Sequence, residues 1–195
     1  MAKIDNKKIA KNTIALYLRM FVLMLISLYT SRITLEYLGV EDYGIYNLVA
    51  GLITVMSFVN NAMALSVNRF LNFSLGKDDI KDTQKIFAMS LNIHILIAII
   101  VILLGETIGL WFVNNKLVIP NDRLIAANIA YQTSIVIFIL NIIKVPYNAS
   151  IIAHENMSMF AYLGILEGIS KLVIVYLLPL IRFDTLSVYA FLIML

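Results

Sequence analysis

The stretch ILIAIIVILL, Ile95–Leu104, decides the architecture, because ten consecutive apolar residues leave no polar face. A transmembrane strand of that length would alternate apolar and polar residues, whereas an unbroken apolar run inside a longer, mostly apolar segment is the pattern of a helix in lipid. The run continues backward through SLNIHILIAII and forward to Leu110. That gives a span over 86–110, longer than the roughly 20 residues needed to cross about 30 Å of hydrocarbon.

Similar runs recur on either side of it. The chain is 61% hydrophobic and 14% charged with a mean hydropathy of +0.90, which marks a membrane protein rather than a soluble domain. The fold class expected is all-α: a polytopic transmembrane helix bundle forming a single domain over 1–195. Spans are expected near 13–37, 44–75, 86–110, 125–143 and 157–178, with a sixth opening at 185 and cut short at 195. The chain therefore reads as the front part of a longer protein. Pro120, Pro146 and Pro179 are expected at or beyond helix ends, where a missing N–H is least harmful. The basic head and long first run, without a small-residue cleavage site, read as a retained signal anchor. With no cysteine, disulfide frameworks, thiolate metal sites and thiol nucleophiles are excluded.

Cytoplasmic loops of membrane proteins carry an excess of Lys and Arg. With the N-terminus inside, Lys3, Lys7, Lys8, Lys11, Arg69, Lys77, Lys81, Lys85 and Lys144 fall on the cytoplasmic side, against Arg32, Lys116, Arg123 and Arg182 outside. Two basic residues, Arg19 and Lys171, are left within predicted spans.

Charges there are expensive, about 2.5–3.5 kcal/mol even on lenient insertion scales, so they are the first places to look for function. At 100° per residue Asn12, Arg19 and Thr30 fall within about 20° of one another, flanked by Ser27 and Thr34. Arg19 therefore either faces a polar lumen or snorkels toward the near membrane surface. In the second span Asn47, Thr54, Asn61 and Asn68 recur every seven residues, beside Gly51 and Ser57. Interhelical hydrogen bonding and a solute pathway are the two readings of that stripe. Glu167 and Lys171 are four apart in the favourable order, which fits a structural pair or a gating charge. Gly164 and Gly168 in the same span suit close helix packing. His94, without a second ligand at a usable spacing, reads as a hydrogen-bonded structural histidine or a proton-coupling group. His154 is expected in a solvated cytoplasmic connection. No nucleophile elbow, phosphate-cradling glycine loop or catalytic acidic cluster is present, so no enzyme and no metal site is expected.

Between the first two spans lies SRITLEYLGVEDYGIYNLVAG, residues 31–51. Gly39 is read as ending the first span in a left-handed cap, and Glu41 and Asp42 as complementing the dipole of the second. Tyr37, Tyr43 and Tyr46 suit the headgroup belt. Arg32, Leu38, Gly39, Glu41, Tyr43, Gly44, Tyr46 and Gly51 together resemble the signature of Wzx-type polysaccharide flippases of the multidrug/oligosaccharidyl-lipid/polysaccharide exporter superfamily. The stretches VNRFLNFSLGKDD…KIFAMSLNIHI and VPYNASIIAHENMSMFAYLGILEGISKLVIVYLL are similar as well. The resemblance implies the N-terminal half of a MATE-like two-bundle transporter in the bacterial inner membrane, carrying undecaprenyl-pyrophosphate-linked oligosaccharide by alternating access. Its partners would be that lipid-linked oligosaccharide, the bilayer and the missing C-terminal half, with no nucleic acid. No cofactor is implied beyond a coupling ion or proton. Substrate contact is expected at Arg19, Asn61, Thr54, Lys171 and Glu167. A drug or cation exporter of the same superfamily is an alternative, as are a membrane-embedded glycan polymerase or ligase and a non-transporting scaffold.

Overall fold

The computed structural model describes residues 6–55, 57–180 and 184–194; Lys3 and Arg182 of the charge count, and Leu195, lie outside them. All regular structure among the described residues is helical: α1 (Asn6–Thr54), α2 (Ser57–Leu75), α3 (Ile80–Leu104), α4 (Leu110–Asn115), α5 (Leu124–Ala153), α6 (Met157–Leu177) and α7 (Thr185–Met194). The segments Asn6–Thr54, Ile80–Asn115, Leu124–Ala153 and Met157–Leu180 are long and apolar enough to cross a membrane.

α1 is two helical arms joined at Gly39, whose φ of 76° and ψ of 171° belong to a region open essentially to glycine alone. The arms fold back on each other. A straight helix would hold Arg19 and Asn47 about 42 Å apart at 1.5 Å per residue, yet both line one cavity of about 390 Å³. Gly39 thus makes a hairpin by an extended, positive-φ turn rather than a left-handed cap. Asp42, Ile45, Val49 and Ile53 are buried on the second arm, at the spacing of a single helix face.

The second predicted span is not one helix. Turn geometry at Val55 separates the second arm of α1 from α2, so the seven-residue stripe is cut between Thr54 and Asn61. α3 starts at Ile80, earlier than expected, because the Asp79 carboxylate accepts a hydrogen bond from the Asp82 N–H at 3.0 Å. Lys81 and Lys85 therefore ride on its first turns and not in a loop. Past Leu104 the helix widens into a π turn, Gly105–Gly109, where the Tyr131 hydroxyl donates to the Gly105 carbonyl at 2.8 Å. A Cβ at Gly109 would overlap that hydroxyl, so the inserted side chain accounts for the widened turn.

α5 is the central helix and packs on α1, α2, α3, α6 and α7. Its Ala126, Ala127, Ala130, Thr133 and Ser134 are buried, small enough to let neighbouring backbones approach. Pro146 corrects the expectation. It lies inside α5, buried, and the helix runs on to Ala153. A proline removes one ladder hydrogen bond, but packing against neighbouring helices holds the turn in shape, a compensation that is common in membrane-type bundles. Lys144 is consequently a residue of a long helix, not of a connecting loop. Pro120 and Pro179 do fall outside α-helices, in the α4–α5 connection and in a short 3₁₀ turn, Leu178–Leu180.

Large apolar side chains cover the outside of the bundle, among them Leu18, Met20, Leu103, Trp111 and Tyr162. Such a surface fits lipid, whereas water would drive it to associate.

Candidate functional site

Four charged side chains meet where α1, α5 and α6 come together. Glu167 of α6 is their hub: Lys144 Nζ of α5 lies 2.5 Å from its Oε2, and Lys171 Nζ lies 3.1 Å from its Oε1. Each carboxylate oxygen therefore holds one ammonium. All three side chains keep between two fifths and half of their surface exposed.

Arg19 approaches from α1. Its guanidinium carbon stands 4.3 Å from the centre of the Phe160 ring, a cation–π contact, while its Nε is buried without a hydrogen-bond partner among the described residues. Among the described residues no carboxylate pairs with Arg19. Gly164 makes this placement feasible, because a Cβ there would overlap Arg19 Nε and come within 3.0 Å of Cζ. One turn on, a Cβ at Gly168 would sit 2.7 Å from Leu23 Cδ2. The two glycines are thus the seat of α1 on α6, for the guanidinium as well as for packing.

Two cavities meet at this cluster, both lined by Arg19, Gly164, Glu167 and Lys171. The first, of about 390 Å³, is walled by Ser27, Thr30, Ser31, Thr34, Asn47 and the tyrosines 43, 46 and 189. The second, of about 490 Å³, has Asn141, Lys144, Asn148 and Ser170 among apolar side chains such as Leu140, Leu163 and Ile174. Two cations on one carboxylate, with Arg19 lining the same cavities, give the junction an excess of positive charge. Such a surface can hold a dianion through charge-assisted hydrogen bonds and present hydroxyls and amides to a polar group next to it.

Of the expected site residues, the structure brings Arg19, Glu167 and Lys171 together. Thr54 and Asn61 line neither cavity: the Thr54 hydroxyl donates back to the Gly51 carbonyl at 2.8 Å, and Asn61 is exposed on α2 beyond the break. Lys144 and Phe160 were missed. Lys144 could have been found by letting the helix continue through Pro146, which puts it on α5 alongside the middle of α6. Tyr43 and Tyr46 line the first cavity, and Tyr46 meets Tyr189 edge-on, with ring centres 4.9 Å apart. Arg32, Glu41 and Gly44 are exposed, and nothing lies within 4 Å of a Cβ placed at Gly51.

A second charge cluster closes the Gly39 end. Arg123, at the start of α5, reaches Asp42 Oδ1 from Nε at 3.3 Å and Asp184 Oδ1 from Nη1 at 2.7 Å. Asp42 thus ties helices together as well as favouring a helix start. Burial raises the Asp184 carboxyl pKa, but bonds from the Ser187 hydroxyl and N–H and the nearby Arg123 outweigh it, so Asp184 is held below its ordinary value of 3.8. At the other end Lys8 pairs with Glu155 and the Asn12 side-chain amide donates to the Glu155 carbonyl at 3.3 Å. His154 ends α5 there and is exposed. His94 is fully buried in α3, and Nδ1 donates to the Ser90 carbonyl at 2.7 Å. Its Nε2 is buried without a partner.

No protein-family model, curated protein or solved structure matches the chain.

Proposed function

We propose that this chain is the first helical bundle of a MATE-like, Wzx-type flippase that moves an undecaprenyl-pyrophosphate-linked oligosaccharide across the bacterial inner membrane, with its N-terminus in the cytoplasm. The observation that carries the reading is the Arg19–Lys144–Glu167–Lys171 junction between two cavities. Arg19 stands about 20 Å along the first arm of α1, whose length is about 50 Å, so the cations lie well inside the bundle rather than at its rim. A glycan cannot cross hydrocarbon unhydrated, and a diphosphate needs cations to replace its water. The hydroxyl-lined cavity suits the first need and the junction suits the second.

No covalent chemistry is part of the proposal. A second bundle supplies the facing wall, and rocking of the two halves exposes the junction to one side and then the other, with an ion or proton as coupling partner. A cation or drug exporter is less well served by this site, because three cations line its cavities against one carboxylate. The test is the leaflet distribution of lipid-linked oligosaccharide in cells lacking the full-length protein. Accumulation on the cytoplasmic leaflet is expected, and an unchanged distribution refutes the reading.

A further inference from the structure

Glu167 occupies the same ammonium groups that an anionic ligand needs. Its Oε2 holds Lys144 and its Oε1 holds Lys171, so an anion that takes both ammonium groups competes with the carboxylate for their charge. The remaining cation, Arg19, faces the same two cavities with no acid of its own among the described residues and with a buried Nε that lacks an acceptor. Among the described residues, the charged and titratable groups that share the two cavities with Glu167 are Arg19 from α1, Tyr43 and Tyr46 beyond the bend, Lys144 from α5, Lys171 from α6 and Tyr189 from α7. Glu167 is the one carboxyl among them.

Resting on the transporter reading above, we propose that Glu167 is a resident counter-ion that the phosphate or diphosphate group of the ligand displaces, and that its release is coupled to uptake of a proton from water. The physical reason is competition at short range. A diphosphate seated on Arg19, Lys144 and Lys171 stands beside the Glu167 carboxylate, and the repulsion between two like charges in one half-exposed site is relieved when one takes a proton. By linkage, a bound state that holds one more proton than the free state binds more tightly as pH falls. Empty, the cluster keeps its lysines neutralised by Glu167. Loaded, the ligand neutralises them and Glu167 is protonated. Arg19 makes first contact because, among the described residues, it has no carboxylate to give up.

The inference is tested on the full-length protein in detergent by calorimetric titration with inorganic pyrophosphate and, in a parallel arm, undecaprenyl diphosphate. Buffers of different ionisation enthalpy report the protons exchanged on binding. Ionisation of the ligand itself contributes equally to wild type and to Glu167→Gln, so the difference between the two proteins isolates Glu167. Wild type is expected to take up more protons than the variant, by up to one per ligand. Glu167→Gln, with its lysines no longer held, is expected to bind about tenfold more tightly at neutral pH and with a flatter pH profile. Equal proton counts, or weaker binding by Glu167→Gln, overturn the inference; if Arg19→Ala and Lys171→Gln still weaken binding in that case, the cationic site itself stands. Failure of both probes to bind wild type overturns the inference together with the reading it rests on. The proton count in wild type needs no variant, so it decides the matter even if Glu167→Gln folds poorly. Tighter binding of the lipid than of free pyrophosphate identifies a lipid headgroup as the ligand, and equal binding a soluble diphosphate.

Discussion

Two charge clusters hold this bundle together, and they have opposite stoichiometry. At the Gly39 end one cation, Arg123, sits between two carboxylates, Asp42 and Asp184, and the latter also bonds the Ser187 N–H and hydroxyl at the start of α7. In the middle, three cations share two cavities with one carboxylate, and Arg19 has an aromatic ring where an acid would neutralise it. The first cluster joins helix ends and has its positive charge fully matched. The second has positive charge to spare beside two cavities. Similar side chains therefore serve as a fastener in one place and as a receptive surface in the other, and the ratio of acids to bases tells them apart.

The comparison is sharpened most by removing the unmatched cation. Arg19→Ala in the full-length protein is expected to weaken pyrophosphate binding by about 10- to 100-fold, as loss of charge-assisted hydrogen bonds worth about 1.5–3 kcal/mol implies. Stability in thermal unfolding should fall only modestly, by about 0.5–2 kcal/mol, since Arg19 loses a contact with the Phe160 ring but no ion pair. If binding and transport are unchanged, the middle cluster is a second fastener and the contrast collapses.

Gly164→Ala probes the same residue from the opposite helix. The new methyl overlaps Arg19 Nε, so the guanidinium or α6 has to move, and destabilisation of about 1–3 kcal/mol is expected along with weaker ligand binding. Thermal unfolding and pyrophosphate titration of one preparation read both effects.

The fastener responds differently. Arg123→Gln leaves the carboxylate of Asp42, only 5% exposed, without its cation, which is expected to destabilise the fold by about 1–3 kcal/mol with little direct effect on ligand affinity. Asp42→Asn in the same protein should restore much of that loss, because a neutral amide is cheaper to bury than an unpaired carboxylate. A double-mutant cycle on unfolding measures the coupling.

The smallest effect is in acid. Asp184 is held below its ordinary 3.8, so the unfolded chain binds its proton first as pH falls. Its contribution to stability is fully present above about pH 3.8 and is lost as pH drops through the lower, folded-state value. The unfolding temperature of wild type should therefore show a decline at low pH that is shallower in Asp184→Asn.

Much of this was legible in the sequence, and the parts that were not share a cause. The polar stripe through Arg19, Thr30 and Thr34 follows from the helical repeat, and all three line one cavity. The Glu167–Lys171 pair follows from a spacing of four. Gly39 announced a turn, though its backbone proved to be extended rather than left-handed. Lys144 was hidden by the ordinary rule for proline, which holds in water and gives way where surrounding helices keep the turn in shape. The Asn47–Asn61 stripe assumed a continuous helix where the chain breaks at Val55. That Tyr43 and Tyr46 line the cavity of Arg19 was not legible, because periodicity says which residues share a face but not which way that face turns.

Sequence alone determined the helical, membrane-compatible class, the hairpin at Gly39 and the presence of embedded charge, because each depends on composition or on neighbours within about one turn of helix. Only the tertiary structure decided that Lys144, 23 residues before Glu167, would be its partner, and that Arg19 would lie against Gly164 and Phe160. Those contacts depend on how α5 and α1 rotate and slide against α6. That rotation is set by many weak packing contacts spread over several helices, and no local spacing records it.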